Sequence, residues 1–170
     1  MPVPSKAVTP ALLQVDAILG RLDGRQALGE ICRFLRRSFP HYRWVGVYRT
    51  VDTTLVLDAW DGPAATEHTT IPVAKGVCGR AVREGRTVIV DDVRDDPEYL
   101  ACFLETRAEI VVPIRDGDAV VGEIDIDGDR IKAYDASDRT FLECVAEKLA
   151  RSVAAAAAEP PPSEGSVRSA

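Results

Sequence analysis

The side chains best suited to chemistry fall in three clusters of the 170-residue sequence. The first is Gly76-Val77-Cys78-Gly79. Glycines let backbone approach a ligand closely, and a thiol near a helix N-terminus ionises more readily. The plainer reading is a buried structural cysteine beside a tight turn. The second cluster is an acidic, irregular stretch running from Asp91-Asp92-Val93 to Tyr99-Leu100-Ala101-Cys102-Phe103. A thiol on a loop that covers a pocket is a candidate nucleophile, although a packed apolar cysteine fits the same residues. The third cluster is Glu109 with Gly122-Glu123-Ile124-Asp125-Ile126-Asp127. Alternation in a strand places Glu123, Asp125 and Asp127 on one face. Carboxylates crowded on one face repel unless one is protonated or something cationic joins them. Ile124 and Ile126 need a buried opposite face, so the acidic face is either solvated or turned into a pocket.

The remaining candidates carry less. Cys32 and Cys144 lie on apolar helical stripes and read as core residues, and His41 and His68 are isolated. The four cysteines have no CxxC spacing and no paired histidine, so no metal site is expected. The first ten residues contain one Lys and no apolar h-region, which argues against a signal peptide. Reduced thiols and a cytoplasmic location are therefore expected.

The elements that must hold these clusters are legible from periodicity. Helical patterns run through ALLQVDAILGRL and from Gln26 to Ser38. Strands are expected at Trp44–Tyr48, Thr54–Leu57, Thr69–Val73, Thr87–Val90, Ala108–Arg115 and Ala119–Asp127. Gly76–Val82 reads as a loop entering a short helix that Gly85 closes. Gly117 marks a hairpin, and one last helix runs from about Asp135 through the alanine run. The expected fold is α/β of the α+β kind. It has about six mainly antiparallel strands, terminal helices on one face, and a ligand pocket under loops on the other. Residues 1–8 are expected to be frayed, 9–158 to form the domain, and 159–170 to be a disordered tail.

Composition narrows the function classes. Net charge is −6 with no basic stripe, which excludes a phosphate-tracking nucleic-acid surface. No apolar run reaches the roughly 18–20 residues a membrane span needs.

Several motifs together resemble a known family. They are Ile71-Pro72-Val73, Gly76-Val77-Cys78-Gly79, Val90-Asp91-Asp92-Val93, Glu109-Ile110-Val111-Val112-Pro113-Ile114 and Gly122 to Asp127. This set resembles the GAF domain family over residues 10–155. With Trp44 to Tyr48 and Ala101-Cys102, it is similar within that family to the free methionine-(R)-sulfoxide reductases. The resemblance implies Cys102 as nucleophile, Cys78 as its thiol partner, and Glu109 or Asp125 as proton donor. It puts Asp127, Trp44, Tyr48 and Asp91 on the substrate side. No bound cofactor is implied; the reductant is an external thioredoxin-type dithiol, and a homodimer through terminal helices is expected. The chain departs from the reductase pattern in three places. His68 stands where a resolving cysteine is usual, Tyr99-Leu100 replaces Gly-His, and Phe103 to Arg107 replaces small residues. The alternative is a non-catalytic small-molecule-binding or redox-sensing GAF module.

Overall fold

A computed structural model describes residues 2–161 of the chain. In chain order the helices and strands are α1 (Ser5–Leu19), α2 (Gly24–Ser38), β1 (Trp44–Val51), β2 (Thr54–Asp61), β3 (Thr70–Pro72), α3 (Gly76–Glu84), β4 (Val88–Val90), β5 (Ala108–Asp116), β6 (Ala119–Gly128), α4 (Ala136–Ala146) and α5 (Ala150–Ala158). The six strands form one antiparallel sheet in the order β3-β2-β1-β6-β5-β4.

Strand alternation divides the interior into two clusters. Val45, Val47, Ile110, Val112, Ile114, Ile124 and Ile126 project to the face covered by the terminal helices, where they meet Leu28, Ile31, Leu35, Phe141, Leu142 and Val145. Trp44, Tyr48, Leu55, Leu57, Val88, Val90 and Val111 project to the other face, where α3 packs with Val77, Cys78 and Ala81. This is the arrangement expected from the sequence: helices from both chain ends on one side, and the middle of the chain over the other.

Local detail departs from expectation at four places. Residues 5–8 are helical, not frayed, and Val3 is buried with the helices. A proline at position 4 lies just before the first turn, where it breaks no intrahelical hydrogen bond. The expected single last helix is two. Lys148 and Leu149 donate to Val145 and Ala146, three residues back. That tighter turn separates α4 from α5 yet leaves Leu149 and Val153 buried. At the expected disordered tail, Glu159 is held by Arg25 at 3.2 Å, and the Pro160 carbonyl accepts from the same guanidinium at 2.6 Å. Residues 162–170 lie outside the described region. Finally, α3 begins at Gly76 itself, so Cys78 is the third residue of the helix and does not precede it.

Candidate active site

The acidic patch is assembled by register. Glu109 on β5 faces Asp127 on β6, and on β1 Gly46 and Tyr48 face Asp125 and Glu123. Because Ile124 and Ile126 fill the helical side, all three β6 carboxyls turn toward α3. Helix α3 lays Cys78 over them. Its Sγ lies 3.9 Å from Glu109 Oε1, and single ligand atoms of Cys78, Glu109 and Asp125 lie within 4.8 Å of one another. The helix sits this deep because residue 79 is glycine: a Cβ there would come within 2.3 Å of the Val73 carbonyl oxygen.

The loop between β4 and β5 forms the roof. Arg80 and Arg83 of α3 pair with Asp96 and Glu98 at 2.6 and 2.8 Å, and Arg107 pairs with Asp92 at 2.7 Å. Cys102 rides on this roof half-buried, its thiol 3.6 Å from the Leu100 carbonyl. The segment before β3 meets it. His68 Nε2 lies 3.0 Å from the Ala101 carbonyl, and the Tyr48 hydroxyl donates to the His68 carbonyl at 2.8 Å. Position 68 is therefore beside the Cys102 loop, and it holds an imidazole there.

An aromatic wall closes one side. The Trp44 indole stacks on Trp60 with centroids 6.2 Å apart, and Phe103 of the roof tilts against it at 5.8 Å. Trp44 lies flat along its own strand because residue 46 has no side chain; a Cβ on Gly46 would come within 2.3 Å of the ring. A cavity of about 250 Å³ opens between Trp44, Phe103, Thr106 and Asp127. Its volume suits an amino-acid-sized ligand, below the roughly 300–1,000 Å³ of drug-sized sites. Trp44 Nε1 and Asp127 Oδ2 are both buried there without hydrogen-bond partners among the described residues.

Burial governs the electrostatics. Burial lifts the Glu123 carboxyl to about 8, with the Cys78 thiol opposing. Asp125 is lifted to about 7 by burial and by Glu123, with Cys78 and Glu109 opposing. Glu109 and Asp127 are pushed well above the usual carboxyl range, first by burial and then by Asp125. The same burial raises both thiols. Asp125, Glu123 and Glu109 add to the rise at Cys78, and Asp125, Asp127 and Glu109 to that at Cys102, where Thr66 opposes it. Of the two readings of Cys78, the structure favours the buried one: burial among carboxyls outweighs the helix N-terminus.

Of the residues expected at the site, Cys78, Glu109, Asp125 and Asp127 converge, Trp44 and Tyr48 flank them, and Cys102 sits above. Asp91 does not join them. It is exposed, lining a shallow groove with Asp92, Asp95 and Asp96. Sequence reasoning put Glu123 on the acidic face but not in the site; its complete burial is what makes it a member. Trp60 and Phe103 were missed, since their stacking on Trp44 is tertiary.

A family model described as GAF domain matches residues 22–154. The chain belongs to the GAF domain family. Its curated relatives include the free methionine-R-sulfoxide reductase of Escherichia coli, 32% identical over 127 residues, covering 75% of this chain and 76% of that one. The enzyme of the same name from Saccharomyces cerevisiae is 40% identical over 113 residues, covering 64% and 62%. Among solved structures, free methionine-R-sulfoxide reductase from Neisseria meningitidis in complex with its substrate superposes with a TM-score of 0.82. It is 31% identical, covering 92% of this chain and 95% of that one. The resemblance read from the motifs, to the reductases within the GAF family, is borne out. Among the described residues, no helix is long and apolar enough to cross a membrane.

Proposed function

We propose that this GAF protein is an oxidoreductase that reduces free methionine-(R)-sulfoxide with its own thiols. The observation that carries the reading is a half-buried thiol on a loop, Cys102, poised over buried carboxyls that burial keeps protonated near neutrality. The reductases to which the chain is similar support it.

The geometry suggests how each group acts. Asp127 accepts the substrate ammonium, and Trp44 with Phe103 packs on the S-methyl group. A protonated carboxyl, Glu109 or Asp125, gives its proton to the sulfoxide oxygen, and the carboxylate so formed takes the proton of the Cys102 thiol. That exchange lets a thiol of raised pKa act without standing as a thiolate. The Cys102 sulfur adds to the sulfoxide sulfur, and the protonated oxygen then passes to the Cys102 sulfur as the new S–S bond and the substrate S–O bond both break. The substrate is reduced by two electrons to methionine, and Cys102 is oxidised to a sulfenic acid. Cys78 condenses with the sulfenic acid, releasing water and forming a disulfide, which an external thioredoxin-type dithiol reduces.

The test is a coupled assay with NADPH, thioredoxin reductase, thioredoxin and free L-methionine-(R)-sulfoxide. Turnover that vanishes in Cys102→Ser is expected. No turnover in the parent protein would overturn the proposal, as would undiminished turnover in the variant. His68 favours a second reading, a redox sensor using Cys78 and Cys102 alone. For that reading the parent protein would form the disulfide with peroxide but show no sulfoxide turnover.

A further inference from the structure

We infer that Cys78, Glu109 and Asp125 form a binding site for one thiophilic divalent cation of the Zn2+ type, beside Asp127, which faces Glu109 across the two strands and lines the ligand cavity. The metal half of this inference stands on geometry alone; competition with the sulfoxide for the Glu109 and Asp125 carboxyls rests on the reductase reading.

The donor atoms are close to what a tetrahedral ion needs. With Zn–S about 2.3 Å and Zn–O about 2.1 Å, the S···O edge of a tetrahedron is about 3.6 Å. Cys78 Sγ and Glu109 Oε1 are 3.9 Å apart, and an Asp125 oxygen completes the trio within 4.8 Å. Small rotamer adjustments bring all three onto one ion. One sulfur and two carboxylate oxygens leave the fourth position open, as in sites that bind a further ligand. The sulfur selects the class of cation. Magnesium and calcium take oxygen donors, whereas a thiolate favours zinc and its softer neighbours.

A second observation points to a missing positive group. Glu123 is fully buried on the same face, and both of its carboxyl oxygens lack hydrogen-bond partners among the described residues. The two Asp125 oxygens and Glu109 Oε2 are equally unpartnered. Buried polar atoms in native proteins are nearly always satisfied, so orphaned oxygens mark a ligand's place. One substrate ammonium at Asp127 leaves the inner oxygens unserved. A divalent cation on Cys78, Glu109 and Asp125 serves them, with Glu123 behind the ligands to orient them. No zinc spacing appears in the sequence because three separate elements supply the ligands.

The experiment uses the full chain, reduced, stripped with EDTA and desalted, then titrated with Co2+ without oxygen. One Co2+ per chain is expected, with the near-ultraviolet thiolate-to-cobalt charge-transfer band and the visible bands of a four-coordinate ion; Zn2+ displaces it. Cys78→Ser loses the charge-transfer band, and Cys102→Ser keeps it. Glu109→Gln and Asp125→Asn keep the band but weaken binding by at least about 10–100-fold, the loss found even for second-shell changes. These two variants decide the matter should Cys78→Ser not fold. No saturable uptake, uptake without the band, a band lost in Cys102→Ser, or affinity indifferent to the carboxyl variants would each overturn the site. In the coupled assay Zn2+ raises the apparent KM for the sulfoxide; an active reductase indifferent to saturating Zn2+ overturns the competition for the Glu109 and Asp125 carboxyls. Because uptake is read without turnover, an inactive protein that binds Co2+ through Cys78 refutes the reductase reading and leaves the metal site standing.

Discussion

Glu123 gives the sharpest test of the buried-carboxyl reasoning, because amide substitution keeps its shape and removes its titration. Burial raises its pKa from 4.5 to about 8. The folded state therefore holds this proton more tightly than the unfolded chain does. Its contribution to stability is fully present below pH 4.5 and is lost as pH rises through about 8. At about 1.4 kcal/mol per pH unit, the whole loss is about 5 kcal/mol, a large part of the roughly 5–15 kcal/mol by which domains are stable. In Glu123→Gln that loss disappears. Asp125 is relieved as well, since Glu123 is among the groups that raise it. The measurement is urea unfolding of EDTA-treated, reduced protein across about pH 5 to pH 9, the range in which ordinary carboxyls are already ionised. The two proteins should be similar at the acid end, where the glutamine mimics a neutral carboxyl. The parent should then fall below the variant by several kcal/mol at the alkaline end. If that gap changes by less than about 1 kcal/mol, a few-fold change in the folding constant, Glu123 is not a neutral buried acid.

Three further outcomes follow from the same geometry. Turnover should decline as pH rises through about 7, where the Asp125 carboxyl loses its proton; a rate that climbs steadily through that range would show that thiolate formation, not the acid, limits the reaction. Gly46→Ala should push the Trp44 ring, which a Cβ would meet at 2.3 Å, and raise KM for the sulfoxide several-fold more than it lowers kcat. An unchanged KM removes Trp44 from the substrate wall. Gly79→Ala should lower unfolding stability by about 1–3 kcal/mol, typical of overpacking, because the new Cβ meets the Val73 backbone oxygen at 2.3 Å; a urea midpoint equal to the parent's contradicts that contact.

What could be read from the sequence was whatever repeats with the period of its element. Ile124 and Ile126 had to be buried, so the acids between them had to face the other way, and they do. Turns fix antiparallel pairing of β1 with β2 and of β5 with β6, whereas the central pairing of β1 with β6 has no turn to announce it. Other features escaped for definite reasons. The break between α4 and α5 leaves the apolar spacing untouched, since a tightened turn still carries Leu149 inward. Asp91 sits in an irregular loop where no period tells inside from outside. The direction of the Cys78 shift stayed open in the sequence because only the helix N-terminus is local to it. The carboxyls that outweigh the helix come from β5 and β6, some 30 and more residues away. Trp60 and Phe103 flank Trp44 only after β2 pairs with β1 and the roof closes.

A single physical cause accounts for both halves of the site. Removing these groups from water disfavours every charge, so it protonates carboxyls and thiols alike. A site of this kind holds few standing charges and suits a reaction in which a proton is exchanged between partners as bonds form. The sulfoxide oxygen takes a proton, and the attacking thiol gives one up. Each is unfavourable alone in a dry pocket; paired through one carboxyl they cost no net charge. His68 fits the same logic. Tyr48 anchors the backbone at position 68, and the His68 ring reaches the Ala101 carbonyl next to Cys102. A thiol there would offer Cys102 a second partner, whereas an imidazole holds the loop in place and leaves Cys78 as the remaining thiol on the pocket side of the sheet.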